Sequence, residues 1–221
     1  MVKITIHRVL AKIKTTEKRF MSLMTPGVFA SWQIGQSQMT PGGQSVQDIT
    51  AEIRANYDSA ISLLKNYEAL KLAVIRSNSG ITKDTTGLEE TKIGGRDMLV
   101  AEIIAKQKYV MPFYKRFIDV LSTQYNRVIG EIEKRNSRVH DNLGNVLSGI
   151  SNGSNEKLTE AQVQSISETY YANNSCFIVD PLKLSETIRK LQKEYDEFLD
   201  EADSRLSEVN ALKIVEVNLD E

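Results

Sequence analysis

This chain is short of most residues that announce chemistry. In 221 residues there are one cysteine, two histidines, one tryptophan and four prolines. Cys176 has no internal partner, so the fold does not depend on a disulfide, and the thiol reads as a small packed residue rather than a nucleophile. His7 and His140 fall on different predicted helices with no cysteine near them, which disfavours a histidine-containing zinc site. No cofactor or metal is expected. The chain also lacks charge of one sign: 28 Lys plus Arg face 29 Asp plus Glu. A near-neutral balance gives no global field to draw nucleic acid or anionic lipid. No stretch reaches the roughly 18 consecutive apolar residues of a membrane span. The first twenty residues interrupt their apolar side chains with Lys3, His7, Arg8, Lys12 and Lys14, unlike a secretory signal. Synthesis and first folding in a cytoplasm are expected.

Motifs of the common catalysts are missing too: no HExxH, no phosphate-binding glycine loop ending in Lys-Ser or Lys-Thr, and no G-x-S-x-G elbow. Ile93-Gly94-Gly95-Arg96-Asp97 gathers glycines, an arginine and a helix start where an anion would fit, but a hairpin exit and a helix cap explain the same residues more simply. Glu131 and Glu133 point to different faces of a helix, and Glu197 and Glu201 lie one turn apart on an acidic stretch. Neither pair has the enclosure that a carboxylate dyad needs. Tyr170 and Tyr171 read as amphipathic core or interface residues, since a stacking platform for nucleic acid comes with a basic groove. The chain reads as a non-enzyme.

What is abundant is helical periodicity. Ile6, Leu10, Ile13, Phe20 and Leu23 set the face of a first helix with Thr5 as its cap, ending near Met24. Residues 25–44 form a loop lobe carrying Thr-Pro-Gly twice, each suited to a tight turn. This lobe holds Phe29, Trp32 and Ile34, too apolar to be left in water. Either it folds its aromatics back onto the helices, or Trp32 anchors a partner subunit; Phe29, Trp32 and Ile34 are the candidate partner-binding residues. A second helix is predicted from Val46 to Ser77, on the order of 45 Å long, burying Val46, Ile49, Ile53, Tyr57, Ala60 and Leu64, then Tyr67 and Leu70 or Val74. Asn78 or Gly80 supplies its C-cap.

A β-hairpin tip is expected over 80–95, turning at Thr86-Gly87, with Gly94-Gly95 reversing the chain and Asp97 capping a third helix from Met98 to Leu147. Pro112 must kink or break that helix near Tyr109 to Met111. Beyond it Lys115, Arg116, Arg127, Glu131, Arg135 and their neighbours read as an ordinary solvated face. Residues 148–156 read as an exposed polar linker. Thr159 and Gln162 make a capping box for a short helix ending near Asn173-Asn174, and Cys176 to Val179 reads as a strand. The last helix, Pro181 to Leu212 with Asp180 as its cap, carries Leu184, Ile188, Leu191, Tyr195, Phe198 and Ala202, continuing to Leu206 and Val209. Its steps of four and three, with one extra four near Ala202, are a coiled-coil seam. Lys213 to Val217 alternates like a strand and pairs with Val2 to Thr5 in this reading. The expected fold is mainly α: one elongated helical domain over 1–221, a long antiparallel helical hairpin or coiled-coil bundle with a small β-hairpin and short terminal strands.

Three stretches carry a likeness: LLKNYEALKLAVIRSNSGIT (Leu63 to Thr82), KIGGRDMLVAEIIAKQ (Lys92 to Gln107) and the run from Phe177 to Val217, where valine-aspartate precedes a helix that stops at an asparagine. In their order they resemble a family of helical proteins of unknown function found in bacteria and tailed phages, sometimes labelled septicolysin-like. The Thr-Pro-Gly loop and the 148–155 insertion depart from that pattern. The resemblance implies a virion component made in the host cytoplasm, acting in a neck, collar, tail or head-decorating position. Its partners would be copies of itself and other virion proteins, not nucleic acid, membrane or a small-molecule substrate. A cytoplasmic assembly chaperone or adaptor that binds a helical partner transiently is the alternative. Membrane disruption, which the label hints at, lacks an apolar amphipathic segment free to insert.

Overall fold

The computed structural model describes residues 4–37, 39–78, 90–93, 96–153 and 158–212. The fold is mainly α. In chain order the elements are α1 (Ile6–Met24), β1 (Ser31–Ile34), α2 (Val46–Asn78), β2 (Glu90–Ile93), β3 (Arg96–Leu99), α3 (Val100–Ala105), a π-helical turn (Lys106–Val110), α4 (Met111–Gly153), α5 (Glu160–Asn174), β4 (Cys176–Val179) and α6 (Leu184–Leu212). Contacts divide the chain into two compact units. One comprises Met1–Thr25, Ala60–Ile118 and Arg189–Glu221, the other Pro26–Ser59 and Asp119–Ile188. Because α2, α4 and α6 each supply residues to both units, their uninterrupted periodicity reads in sequence as one domain.

In the first unit α1 begins at its expected cap, the Thr5 hydroxyl accepting the Arg8 N–H at 3.4 Å. The buried face overlaps the expected one: Ile13 and Phe20 are inside and Leu23 is half-buried, joined by Val9 and Met24, whereas Ile6 and Leu10 are 45 % and 46 % exposed. Phe20 anchors this face. Its ring meets Phe113 at 5.5 Å and Phe117 at 6.4 Å between centroids, which draws the helix onto that side. Val9 and Ile13 join Tyr67 and Val110 in one core cluster. Between α2 and the helical run from α3 through the π turn into α4 the contacts run antiparallel: Arg76 meets Glu102, Glu68 meets Lys106 and Tyr114, and Tyr67 packs tilted against Phe113 at 4.5 Å.

Pro112 interrupts the third helix where it was expected to. The Met111 N–H reaches back five residues to the Lys106 carbonyl, a π turn that loosens the helix just ahead of a ring that would crowd the preceding turn. The hairpin is displaced from the expected 80–95: its strands are β2 and β3, with Ile93 paired to Arg96 and Glu90 to Leu99, so the chain reverses between Ile93 and Arg96. The expected turn at Thr86-Gly87 lies outside the described residues. Asp97 belongs to β3 and does not cap the helix. Leu99 takes the N-cap position without a side-chain acceptor of its own, and Glu102 compensates by accepting the Leu99 N–H at 3.0 Å.

In the second unit β1 pairs antiparallel with β4, Trp32 opposite Ile178 and Ile34 opposite Cys176. Ile49, Ile53 and Val179 form its core with Val28, Val46 and Leu182 packed against them. The Thr159–Gln162 capping box opens α5 as read from the sequence. The expected linker is corrected in part: residues 148–153 continue α4, because the helix already under way propagates at one hydrogen bond per residue even through Ser and Gly. The α6 start also moves, from Pro181 to Leu184. The Asp180 carboxylate captures the N–H groups of Leu182 (3.3 Å) and Leu184 (2.7 Å), folding the Pro181-Leu182 segment into a turn before the helix. All eight seam positions of α6 are buried or half-buried. Of the expected terminal strands, residues 2–3 and 213–217 lie outside the described residues, and Thr5 serves α1 as its cap.

Candidate interaction surfaces

The residues singled out for partner binding lie in the second unit, and the structure turns them inward. Phe29 is 0 % and Trp32 4 % exposed, with Ile34 half-buried. Of the two readings of this lobe, the burial fits the one in which it folds its aromatics back onto the helices, and not the one in which Trp32 is an exposed anchor. The reason is a set of polar side chains on the helices that satisfy the loop backbone. Gln124 of α4 accepts the Phe29 N–H (2.9 Å) and donates to the Gly27 carbonyl (2.7 Å), holding the loop as a neighbouring strand would. Asn56 of α2 donates to the Val28 carbonyl at 3.0 Å. On the other strand Asn136 accepts the Cys176 N–H (2.7 Å) and donates to the Cys176 carbonyl (3.1 Å). A loop whose backbone is satisfied in this way can bury its aromatics at no polar cost.

Trp32 is gripped by two residues that had read as plain solvated helix surface. Its indole N–H donates to Glu131 at 3.0 Å, and the Arg135 guanidinium lies over the ring at 4.4 Å from the centroid. The spacing Glu131-x-x-x-Arg135 could have signalled a ligated aromatic, but i, i+4 charge pairs are common on any exposed helix. The turn that follows β1 is equally specific. Gly35 has φ +52°, its N–H donates to the Ser175 carbonyl at 2.7 Å, and a Cβ built there would lie 2.2 Å from the Asn173 carbonyl oxygen. Cys176 is buried, and burial pushes its thiol above the ordinary value even though Arg135 pulls the other way. That agrees with a packed residue rather than a nucleophile. His140 Nδ1 lies 2.7 Å from the Tyr171 hydroxyl, and the two rings stack. Among the described residues no group of three or more His, Cys, Asp or Glu is placed to hold a metal ion.

The surface that sequence reasoning missed is in the first unit. A groove of about 840 Å³ lies between α2, the β2–β3 hairpin, α3 with its π turn, and α6. Its floor is Leu72, Ile93, Met98 and Phe198, continuous with the core around Ile103 and Ala202. Its polar lining is lopsided, seven carboxylates against two cations. Both cations are engaged. Arg76 grips the 1 %-exposed Glu102 through Nε (2.5 Å) and Nη2 (3.0 Å). Lys106, placed by the π turn, reaches Glu68 at 2.6 Å and lies 4.5 Å from the Phe198 ring centroid. The rim carries Asp97 and the α6 residues Glu194, Glu197, Asp200 and Glu201, with Glu194 and Glu197 in exposed pairs with Lys190 and Lys193 one turn back on the same helix. The acidic stretch of α6 was visible in sequence; the apolar floor beside it was not, because its residues come from four separate elements.

Compared with protein-family models, with curated proteins and with solved structures, the chain matches none. No helix among the described residues is long and apolar enough to cross a membrane.

Proposed function

We propose that this chain is a non-enzymatic structural component of a tailed bacteriophage particle, in a neck, collar, tail or head-decorating position, working through subunit contacts. The observation that supports an assembly role most directly is the partly exposed apolar edge of α1. Ile6, Leu10 and Met21 are each close to half exposed along the edge of the face that α1 packs into the core, so its apolar surface is wider than its own fold covers. The particle setting comes from the resemblance of the three stretches at 63–82, 92–107 and 177–217, and symmetry there would multiply individually modest contacts.

The test is mass spectrometry of purified particles from the source. The proposal expects this chain at a fixed multiple of a ring or shell symmetry; absence from clean particles overturns it. The apolar groove with its acidic rim also supports a second reading, a transient helper that binds one helical partner. That reading expects a chain missing from particles, stable by itself as a small oligomer and binding its client reversibly.

A further inference from the structure

We infer that the groove of the first unit receives helix α1 of a second copy of this chain, making a head-to-tail contact. The groove defines its own occupant. Of the seven carboxylates that bound the apolar floor, Glu68 and Glu102 engage its two cations, and Glu194 and Glu197 make only exposed pairs with Lys190 and Lys193 of α6, so the wall keeps an acidic excess that suits a cationic amphipathic helix. Helix α6, which forms the acidic wall, carries eight carboxylates and four cations over Leu184–Leu212. Six of those carboxylates fall between Glu194 and Asp203 with no cation among them.

Helix α1 has the complementary character. Over Ile6–Met24 it carries Arg8, Lys12, Lys14, Lys18 and Arg19 against Glu17 alone. Ile6, Leu10 and Met21 fall within about 60° of one another around the helix, at 100° per residue, with Lys14 beside them. These three side chains are 45 %, 46 % and 45 % exposed. The same molecule does not fill its own groove with this helix. The buried side of α1 is fixed on the Tyr67–Val110 cluster, and the groove floor belongs to the separate cluster around Ile93, Met98 and Ile103.

Because the contact joins two different surfaces, it is heterologous and propagates until it closes a ring or runs on as a filament. The inference deepens the assembly reading and fails separately from it. A chain absent from particles can still self-associate through this contact, and a chain present in particles can be held there by other proteins.

The experiment is light scattering on the full chain and on two charge-reversal variants, Glu197→Lys/Asp200→Lys in the groove wall and Lys14→Glu/Lys18→Glu on α1. All four positions are exposed, so the fold is expected to survive, with circular dichroism as the check. The neutral pairs Glu197→Gln/Asp200→Asn and Lys14→Gln/Lys18→Gln replace any reversal that unfolds. Each variant alone is expected to self-associate at least about tenfold more weakly than the natural chain. In a 1:1 mixture of the two reversals each groove meets the oppositely charged α1 of the other variant, so association is restored, as it is when both reversals are combined in one chain. A natural chain that is monomeric throughout, variants whose mass is unchanged, or a combined variant that stays dissociated each overturn the inference.

Discussion

The loop around Trp32 and the groove around Glu102 both bring apolar side chains together with charged ones, yet one is closed and the other open. In the loop, amide side chains from α2 and α4 satisfy the backbone, so Phe29 and Trp32 can be buried completely. In the groove the charges pair across the floor, Arg76 with Glu102 and Lys106 with Glu68, and hold the walls while leaving the space between them accessible. Neutral amides bind backbone and bring elements together; ion pairs between long side chains can brace two elements at a distance. The apolar content of a segment therefore does not reveal whether it faces a partner. What its polar neighbours bond to does.

The comparison breaks most readily at Gly35. Gly35→Ala puts a Cβ 2.2 Å from a backbone oxygen at φ +52°, so we expect a loss of roughly 3 kcal/mol or more in urea unfolding. A loss below about 1 kcal/mol would mean that the β1 turn and the end of α5 are not locked together. In the groove, Glu102→Ala strips the Leu99 N–H of its acceptor and Arg76 of its partner, for an expected loss of about 2–3 kcal/mol. Glu102→Gln, which keeps an acceptor for Leu99, should lose less than half of that; equal losses would show that size rather than bonding matters at this position.

A third test uses pH. Burial, followed by the charges of Glu17 and Tyr109, raises the Tyr67 pKa from 10.0 to about 12. Folding therefore favours the protonated phenol. Its contribution to stability is complete below pH 10 and is lost as pH rises from 10 to about 12. Absorbance at 295 nm should show a tyrosine step near pH 12, and Tyr67→Phe should remove that late step. A Tyr67→Phe chain that keeps it would place the burial elsewhere. The smallest expected effect separates the two regions directly. Trp32→Phe loses the bond to Glu131 and should cost about 1 kcal/mol while leaving self-association unchanged. A fall in association without a fall in stability would return Trp32 to the role of partner anchor.

Much of the fold was legible because it is local. The α2 span, the capping box at Thr159 and the α6 seam each depend on residues within a turn or two of one another, and each lies where the periodicity puts it. The π turn before Pro112 follows from one residue type. What was not legible depends on residues far apart in the chain. The β1–β4 pairing joins Ser31–Ile34 to Cys176–Val179. Gln124, Glu131, Arg135 and Asn136 look like solvated helix surface until the loop they hold is placed on them. The face of α1 was legible only in part: Ile13 and Phe20 are buried and Leu23 half-buried, but which edge of the apolar surface stays outside depends on where Phe20 meets Phe113 and Phe117, and Ile6 and Leu10 are on that edge.

The most direct test of an assembly role through α1 and the groove is the molar mass of the full chain in solution, measured by light scattering as ionic strength is raised. The account predicts a mass above 24.9 kDa at low salt, growing with concentration beyond a dimer and falling toward 24.9 kDa as salt screens the contact. A mass of 24.9 kDa at every salt and protein concentration would contradict it.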